Sequence, residues 1–374
     1  VFELDTRKTP IQVAAGSKYF SPNADGRKDR IELLPVVEVT DGVEEYELQI
    51  LDKAGETVRR FTGRRTVPET VEWDGRTEEG RRAADAEYRG QLRVVYRNGN
   101  RPVAATGWFI LDTRYPSVEV SRELDIFSPD GDGRLDELRI VQSSSNETMW
   151  EGAILAAGEE EVVLRKYWDG YAENFVWDGR DNNGNRVPDG DYLYTVTATD
   201  EAGNRTAKST TPFTVDTAPR PVALTISTNY FSPNGDGVKD AVEIRFDIPV
   251  KEGIENWEFQ IRDEQGTVRR TYQGGTQIPE SISFDGLDER GSVLSEGRYV
   301  GELSVLYING NNPEDRTPEM IIDTTVPYGN VKADVQVFSP NGDGNKDEVA
   351  FYQDTSSEEL WEGVIRDSGG EQVK

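Results

Sequence analysis

The chain has 374 residues without cysteine or histidine, and its 70 acidic and 42 basic residues give a formal charge of −28. Disulfides, thiol nucleophiles, Cys/His zinc sites and histidine bases are therefore excluded, and the negative charge argues against nucleic acid as a partner. It fits a cationic partner or bound metal ions instead. No apolar run approaches the roughly 20 residues of a membrane span. No signal peptide is visible, so we expect a mature chain or an excised piece.

Asp-Thr pairs divide the chain into units. We predict that residues 1–6 are the last strand of a preceding unit or a linker, because the apolar residues of Val1–Leu4 precede Asp5-Thr6. Three later Asp-Thr pairs also follow apolar stretches, and each is followed by a proline, which favours an extended backbone. The predicted domains are 7–112, 113–216, 217–323 and an incomplete fourth domain, 324–374.

A loop of one pattern begins each predicted domain. FSPNADGRKD starts at Phe20 and recurs in related forms at Phe127, Phe231 and Phe338, at intervals of 107, 104 and 107 residues. WEGAIL at Trp150 returns as WEGVIR 211 residues later. Odd domains resemble odd domains and even domains resemble even ones, which indicates that a two-domain block was duplicated.

Between the loops the sequence predicts strands. Polar and apolar residues alternate along Tyr88–Tyr96 and Asp191–Asp200, as in half-buried strands. DKAG at Asp52, DNNG at Asp181 and DEQG at Asp263 are hairpin signals. We therefore predict an all-β chain of tandem immunoglobulin-like β-sandwiches in an elongated array.

The repeated loop has oxygen-bearing side chains at alternating positions. Counted from its serine, these fall at positions 1, 3, 5 and 9, and position 6 is always glycine. This is the spacing of a calcium loop, in which position 7 contributes its backbone carbonyl. The predicted calcium ligands are Ser21, Asn23, Asp25, Arg27 and Asp29; Ser128, Asp130, Asp132, Arg134 and Asp136; Ser232, Asn234, Asp236, Val238 and Asp240; and Ser339, Asn341, Asp343, Asn345 and Asp347.

A turn without an ion is the alternative interpretation of these loops. Asparagine and aspartate form Asx turns with their own backbone, and glycine supplies positive φ. We favour calcium because carboxylates so close in the chain repel each other unless a cation lies between them.

Two other features of the sequence predict structure rather than chemistry. An aromatic-Asp-Gly motif occurs at Trp73, Trp177 and Phe284, and we interpret its aromatic residue as core, in preference to a metal site or a sugar-binding platform. A catalytic carboxylate pair should occur once, in a cleft, whereas the acidic residues here repeat with the domains. We therefore predict that the chain is not an enzyme.

The sequence resembles two related families. VWDGRDNNGNRVPDGDYLYTVTATDEAGN, from Val176 to Asn204, resembles the immunoglobulin-like domain of flagellar hook-capping proteins and its relatives in bacterial surface proteins. FSPNGDGxxD is similar to the opening motif of domains at the C-termini of bacterial surface and gliding-associated proteins. These resemblances imply export and a role as a spacer, adhesin or assembly element.

Together these observations predict a structural or adhesive repeat segment of an exported bacterial surface protein, located at the cell surface, outside the cell or in the periplasm. Calcium at the repeated loops would rigidify it. Its partners would be other domains of the same chain, other surface proteins or polysaccharide. Two alternatives stay open: a carbohydrate-binding array attached to a hydrolase, and a subunit of an extracellular filament or surface layer assembled by strand addition.

Overall fold

The computed structural model describes residues 4–159, 161–358 and 360–373, and within them it contains strands and turns but no helix. The all-β prediction is confirmed. Val1–Glu3, most of the strand predicted at the start of the chain, lie outside the described residues, and Leu4 is in no strand. The chain divides into two compact units, Val1–Pro219 and Arg220–Lys374. The finer domain boundaries stay predictions.

The first unit begins with a β-sandwich, called domain 1 below. Its strands are β1 (Ile11–Ala15), β2 (Tyr19–Phe20), β3 (Ile31–Val37), β4 (Val43–Leu51), β5 (Thr57–Arg64), β6 (Val71–Trp73), β7 (Ala86–Tyr96), β8 (Val103–Ala105) and β9 (Phe109–Leu111). One sheet has the order β1-β3-β6, and the other has the order β2-β9-β7-β4-β5 with β8 also paired to β7. All pairs are antiparallel except β2 with β9, which are parallel.

A second sandwich, domain 2, follows in the same unit. Its strands are β10 (Val118–Arg122), β11 (Ile126–Phe127), β12 (Leu138–Ser144), β13 (Glu147–Ala156), β14 (Val162–Gly170), β15 (Phe175–Trp177), β16 (Gly190–Thr199), β17 (Arg205–Ser209) and β18 (Phe213–Val215). The strand orders, β10-β12-β15 and β11-β18-β16-β13-β14 with β17 on β16, repeat those of domain 1.

The second unit contains domain 3 and a hairpin of the fourth repeat. The strands are β19 (Ala223–Ile226), β20 (Tyr230–Phe231), β21 (Val242–Asp247), β22 (Ile254–Asp263), β23 (Val268–Gly274), β24 (Ser281–Phe284), β25 (Gly297–Tyr307), β26 (Glu314–Arg316), β27 (Met320–Ile322), β28 (Gly329–Ala333) and β29 (Phe351–Thr355). Domain 3 has the strand order of domains 1 and 2, and β28 pairs with β29. The tandem immunoglobulin-like sandwiches are thus present three times.

Each sandwich has its own aromatic core. Trp73, Trp177 and Phe284 are buried, which confirms their interpretation as core residues. The loop phenylalanine packs against each of them, and the Phe20 and Trp73 ring centroids lie 5.4 Å apart. The alternation predicted for Tyr88–Tyr96 is also confirmed, since β7 alternates buried and more exposed side chains. These cores join the two sheets of each domain.

The fold places each of the first three repeated loops beside the linker that follows its domain. β2 leads directly into the first loop, and β9 leads directly into the Asp-Thr linker. Their parallel pairing is extended by the Asp112 backbone NH, which donates a 3.1 Å hydrogen bond to the Phe20 carbonyl. Loop and linker therefore leave the sandwich at the same end. No helix among the described residues has the length and apolar character to span a membrane.

Candidate metal loops and the domain junction

The four repeated loops share one backbone conformation. The serine NH at position 1 donates to the carbonyl at position 8, over 2.9 Å from Ser21 to Lys28 and over 2.8 to 2.9 Å in the other loops. Position 8 is left-handed in every loop, with φ between 46° and 53° at Lys28, Leu135, Lys239 and Lys346. Glycine at position 6 is also left-handed. The loop is a closed, tightly curled turn.

The aspartate at position 9 holds this turn closed. Asp29 accepts hydrogen bonds from the backbone NH groups of Ala24, at 2.6 Å, and Gly26, at 2.8 Å. The other three loops repeat these contacts at 2.7 to 2.8 Å. In the fourth loop the NH groups of Gly342 and Gly344 lower the pKa of Asp347. Position 9 therefore has a structural role of its own.

Positions 3 and 5 form consecutive Asx turns. Asn23 Oδ1 accepts from the Asp25 NH at 3.0 Å, and Asp25 Oδ1 accepts from the Arg27 NH at 2.8 Å. The Asn23 amide also donates to Asp25 Oδ2 at 3.1 Å, so the two side chains are in contact. The third and fourth loops repeat all three contacts. The turns expected from the alternative interpretation are formed.

The loop of domain 2 brings three carboxylates together. Asp130, Asp132 and Asp136 each place one oxygen within 4.8 Å of the others, close enough to share an ion. Among the residues that the structure describes, it is the one group of three or more acidic side chains whose oxygens lie this close together. It arises because position 3 is aspartate here and asparagine in the other loops.

The predicted ligands at positions 1 and 7 differ in accessibility in the first two loops, whereas Ser339 of the fourth loop is exposed. Ser21 and Ser128 are buried, and the Ser128 hydroxyl donates to Asp130 Oδ2 at 3.1 Å. At position 7 the side chains of Arg27, Arg134 and Val238 are exposed. Only their backbone carbonyls were predicted as ligands.

A turn of domain 2, Asp200–Asn204, contacts the first loop and is called the junction turn below. It connects β16 to β17. The Ser21 hydroxyl donates to Asn204 Oδ1 at 2.6 Å, and the Asn23 amide donates to the same oxygen at 2.9 Å. Lys28 Nζ donates to the Glu201 carbonyl at 2.6 Å. The junction turn is thereby fixed to the end of domain 1.

The Asn204 amide also binds the linker. Its Nδ2 donates to the carbonyls of Asp112, at 3.0 Å, and Arg114, at 3.2 Å. Asn204 is fully buried. One side chain thus connects the loop of domain 1, the linker and domain 2. Sequence reasoning identified this stretch as part of a family motif but missed the junction, because nothing in the motif specifies contact with another domain.

One family model matches part of the chain. Residues 158–202 match the model of the FlgD Ig-like domain. This match overlaps the stretch from Val176 that resembles hook-capping proteins, so that resemblance is confirmed. The resemblance of FSPNGDGxxD to surface and gliding-associated proteins stays a prediction. No curated protein matches the chain at a significant level.

Solved structures of multidomain proteins are similar to the chain at low identity. A tetra-tandem repeat in the extending region of a large adhesion protein is 16% identical, covering 98% of this chain and 87% of that one, with a TM-score of 0.27. A solved chain of a 1.5-MDa bacterial ice-binding adhesin is 15% identical. The match covers 85% of this chain and 98% of that solved chain, with a TM-score of 0.36. The CbhA fibronectin(III)-like modules of Clostridium thermocellum are 17% identical, with 54% and 93% covered and a TM-score of 0.29. These values are too low to transfer a function.

Proposed function

We propose that this chain is a non-catalytic structural and adhesive repeat segment of an exported bacterial surface protein, and that its repeated loops bind calcium. The observation that carries the calcium proposal is the group Asp130, Asp132 and Asp136, whose oxygens lie within 4.8 Å of one another. Calcium prefers hard oxygen ligands of this kind, completed by carbonyls and water. The Arg134 carbonyl would be one such ligand.

The proposed role of the ion is mechanical. The loop and the linker leave domain 1 together, and the first loop contacts the junction turn. An ion that fixes the loop would therefore also restrain the joint between consecutive domains. Because an ion bound only by the folded state stabilises that state, the domains would also resist unfolding. Calcium outside cells fills even the weak sites found in extracellular modules.

The carbohydrate-binding alternative gains no support from the aromatic motif. Trp73 and Trp177 are buried in their sandwiches, and the indole NH of each donates at 2.8 Å to a backbone carbonyl of the following turn. These rings have no free face for a sugar to stack on.

Thermal unfolding with calcium and with a chelator tests the proposal. Calcium should raise the melting temperature of the native chain. A variant with Asp25→Asn, Asp132→Asn, Asp236→Asn and Asp343→Asn should lose this shift, because each loop loses a charged ligand. A control with Asp41→Asn, Asp74→Asn, Asp169→Asn and Asp178→Asn changes the same charge at exposed positions outside the loops. If calcium leaves the native chain unchanged, the loops are turns without an ion.

A further inference from the structure

Domain 3 carries a pocket at the place where domain 1 holds the junction turn. Its volume is about 330 Å³, and its lining includes Ser232, Asn234, Lys239, Asp323 and Thr325. Each of these residues lies 211 residues after a residue of the junction of domain 1: Ser21, Asn23, Lys28, Asp112 and Arg114. In domain 1 all five make hydrogen bonds to the junction turn.

The backbone of the linker is held in the same way at both places. Thr113 donates its hydroxyl to Asp85 at 3.0 Å, and Thr324 donates its hydroxyl to Glu296 at 2.8 Å. The Arg114 NH donates to Asp112 Oδ1 at 3.1 Å, and the Thr325 NH donates to Asp323 Oδ1 at 3.0 Å. The carbonyls that receive the Asn204 amide in domain 1 therefore have equivalents, on Asp323 and Thr325, beside the domain 3 pocket.

The loop that lines the pocket of domain 3 has the same hydrogen-bond geometry as the loop of domain 1. Asn234 makes the same Asx turn as Asn23, and its amide donates to Asp236 Oδ2 at 3.1 Å. Ser232 is half-buried, whereas Ser21, which is covered by the junction turn, is fully buried. Ser232 is more exposed than Ser21 because no turn among the described residues covers it.

We propose that the domain 3 pocket binds a turn of the Asp-x-x-Gly-Asn type, presented by another repeat of this kind. The terminal asparagine is the selective element because the pocket offers both hydrogen-bond donors and acceptors. The Ser232 hydroxyl and the Asn234 amide donate to a side-chain oxygen, while the carbonyls of Asp323 and Thr325 accept from a side-chain NH₂. A primary amide meets both requirements, whereas an alanine meets neither and a carboxylate cannot donate. This interaction requires no calcium.

Disulfide trapping tests the proposal without interference from other thiols, because the native chain has no cysteine. The probe is a hairpin peptide with the sequence of Thr195–Ser209, the paired ends of β16 and β17, carrying Gly203→Cys. A Cβ at Gly203 would lie 3.7 Å from the Lys28 Cβ, which suits a disulfide. Gly203 has φ of 99°, which strains a cysteine there, so the internal disulfide described next is a necessary check. The corresponding thiol on domain 3 is Lys239→Cys. The full chain with Lys28→Cys and Gly203→Cys, which should close an internal disulfide, checks that this geometry is reactive.

Lys28→Cys alone is the matched control, since it places a thiol at the same loop position beside a pocket that is already filled. The Lys239→Cys chain should trap the peptide roughly tenfold faster than the Lys28→Cys chain, because binding raises the local thiol concentration. A peptide that also carries Asn204→Ala should lose this preference. The NMR spectrum of each peptide must first show that it forms the Asp200–Asn204 turn, because an isolated hairpin is only marginally stable. Equal trapping by the two chains, or equal trapping of two peptides that form the turn, would then overturn the proposal, since the internal disulfide shows that the thiols can react.

Discussion

Ser21 and Asn204 are fully buried side chains, 183 residues apart, that share a 2.6 Å hydrogen bond across the junction of domains 1 and 2. The same asparagine binds two carbonyls of the linker through its amide nitrogen. The junction is therefore formed by ordinary hydrogen bonds, and a metal ion in the adjacent loop would reinforce a joint that already exists.

Asn204→Ala should weaken this joint. The substitution leaves the Ser21 hydroxyl and the two linker carbonyls without their partner, and it should cost about 1–3 kcal/mol in the free energy of unfolding of the first unit. It should also speed tryptic cleavage after Arg114, whose side chain is 82% exposed. Denaturant unfolding and timed proteolysis measure the two effects. Asn100→Ala is the control because Asn100 occupies the same turn position in domain 1, with its amide bound to the Arg7 carbonyl. An equal effect of both variants would contradict the conclusion that Asn204 holds the junction together.

The domain 2 loop should bind calcium more tightly than the other three loops. It offers a third carboxylate, and the affinity of such sites rises with the number of charged ligands. Asp130→Asn should lower the affinity of this site roughly tenfold, and Asn234→Asp should raise that of the domain 3 loop by a similar factor. Calorimetric titration of the full chain measures both changes. Four equal sites in the native chain would refute the ranking.

Ala24 is left-handed at a loop position where the other three loops have glycine. It has φ of 68°, whereas the other loops have glycine at this position, with φ between 81° and 93°. Ala24→Gly should stabilise the first unit by about 1 kcal/mol because the left-handed conformation costs an L-residue that much. Gly131→Ala should do the reverse in domain 2, where the added Cβ meets only Arg186 Nη2 at 3.7 Å, an ordinary contact. Denaturant unfolding of both variants checks the prediction, and changes of equal sign would contradict it.

Acid should destabilise domain 3 through Asp288. Hydrogen bonds from the backbone, above all from the Ser292 NH, lower the pKa of this carboxyl. Because the folded pKa lies below the unfolded value of about 3.9, the stabilisation is complete above about pH 5 and is lost as the pH falls through the folded pKa. Asp288→Asn should therefore lose less stability than the native chain between pH 6 and pH 3. Denaturant midpoints at the two pH values measure this. Glu280→Gln, an exposed charge change in the same domain, should behave like the native chain.

The repeat, the strands and the turns were predictable because each is specified by residues that are close together in the sequence. Alternation along β16 and the Gly184 turn of DNNG depend only on neighbouring residues, and both are present. The domain junction was not predictable in this way. DEAGN specifies a turn, but the hydrogen bond from Ser21 to Asn204 depends on how two consecutive sandwiches are placed. The sequence also leaves the ion undecided, because Asn23 and Asp25 would serve as calcium ligands and also form Asx turns.

The junction turn and the loop that receives it belong to different domains of one 211-residue block, as the interval from Phe20 to Phe231 shows. This arrangement bears on how the gene can lengthen. Recombination that copies the whole block copies both the junction turn and the loop that binds it, in the correct order. Recombination that copies a single domain would instead place two domains of the same type side by side. The alternation of odd and even repeats matches duplication of the whole block.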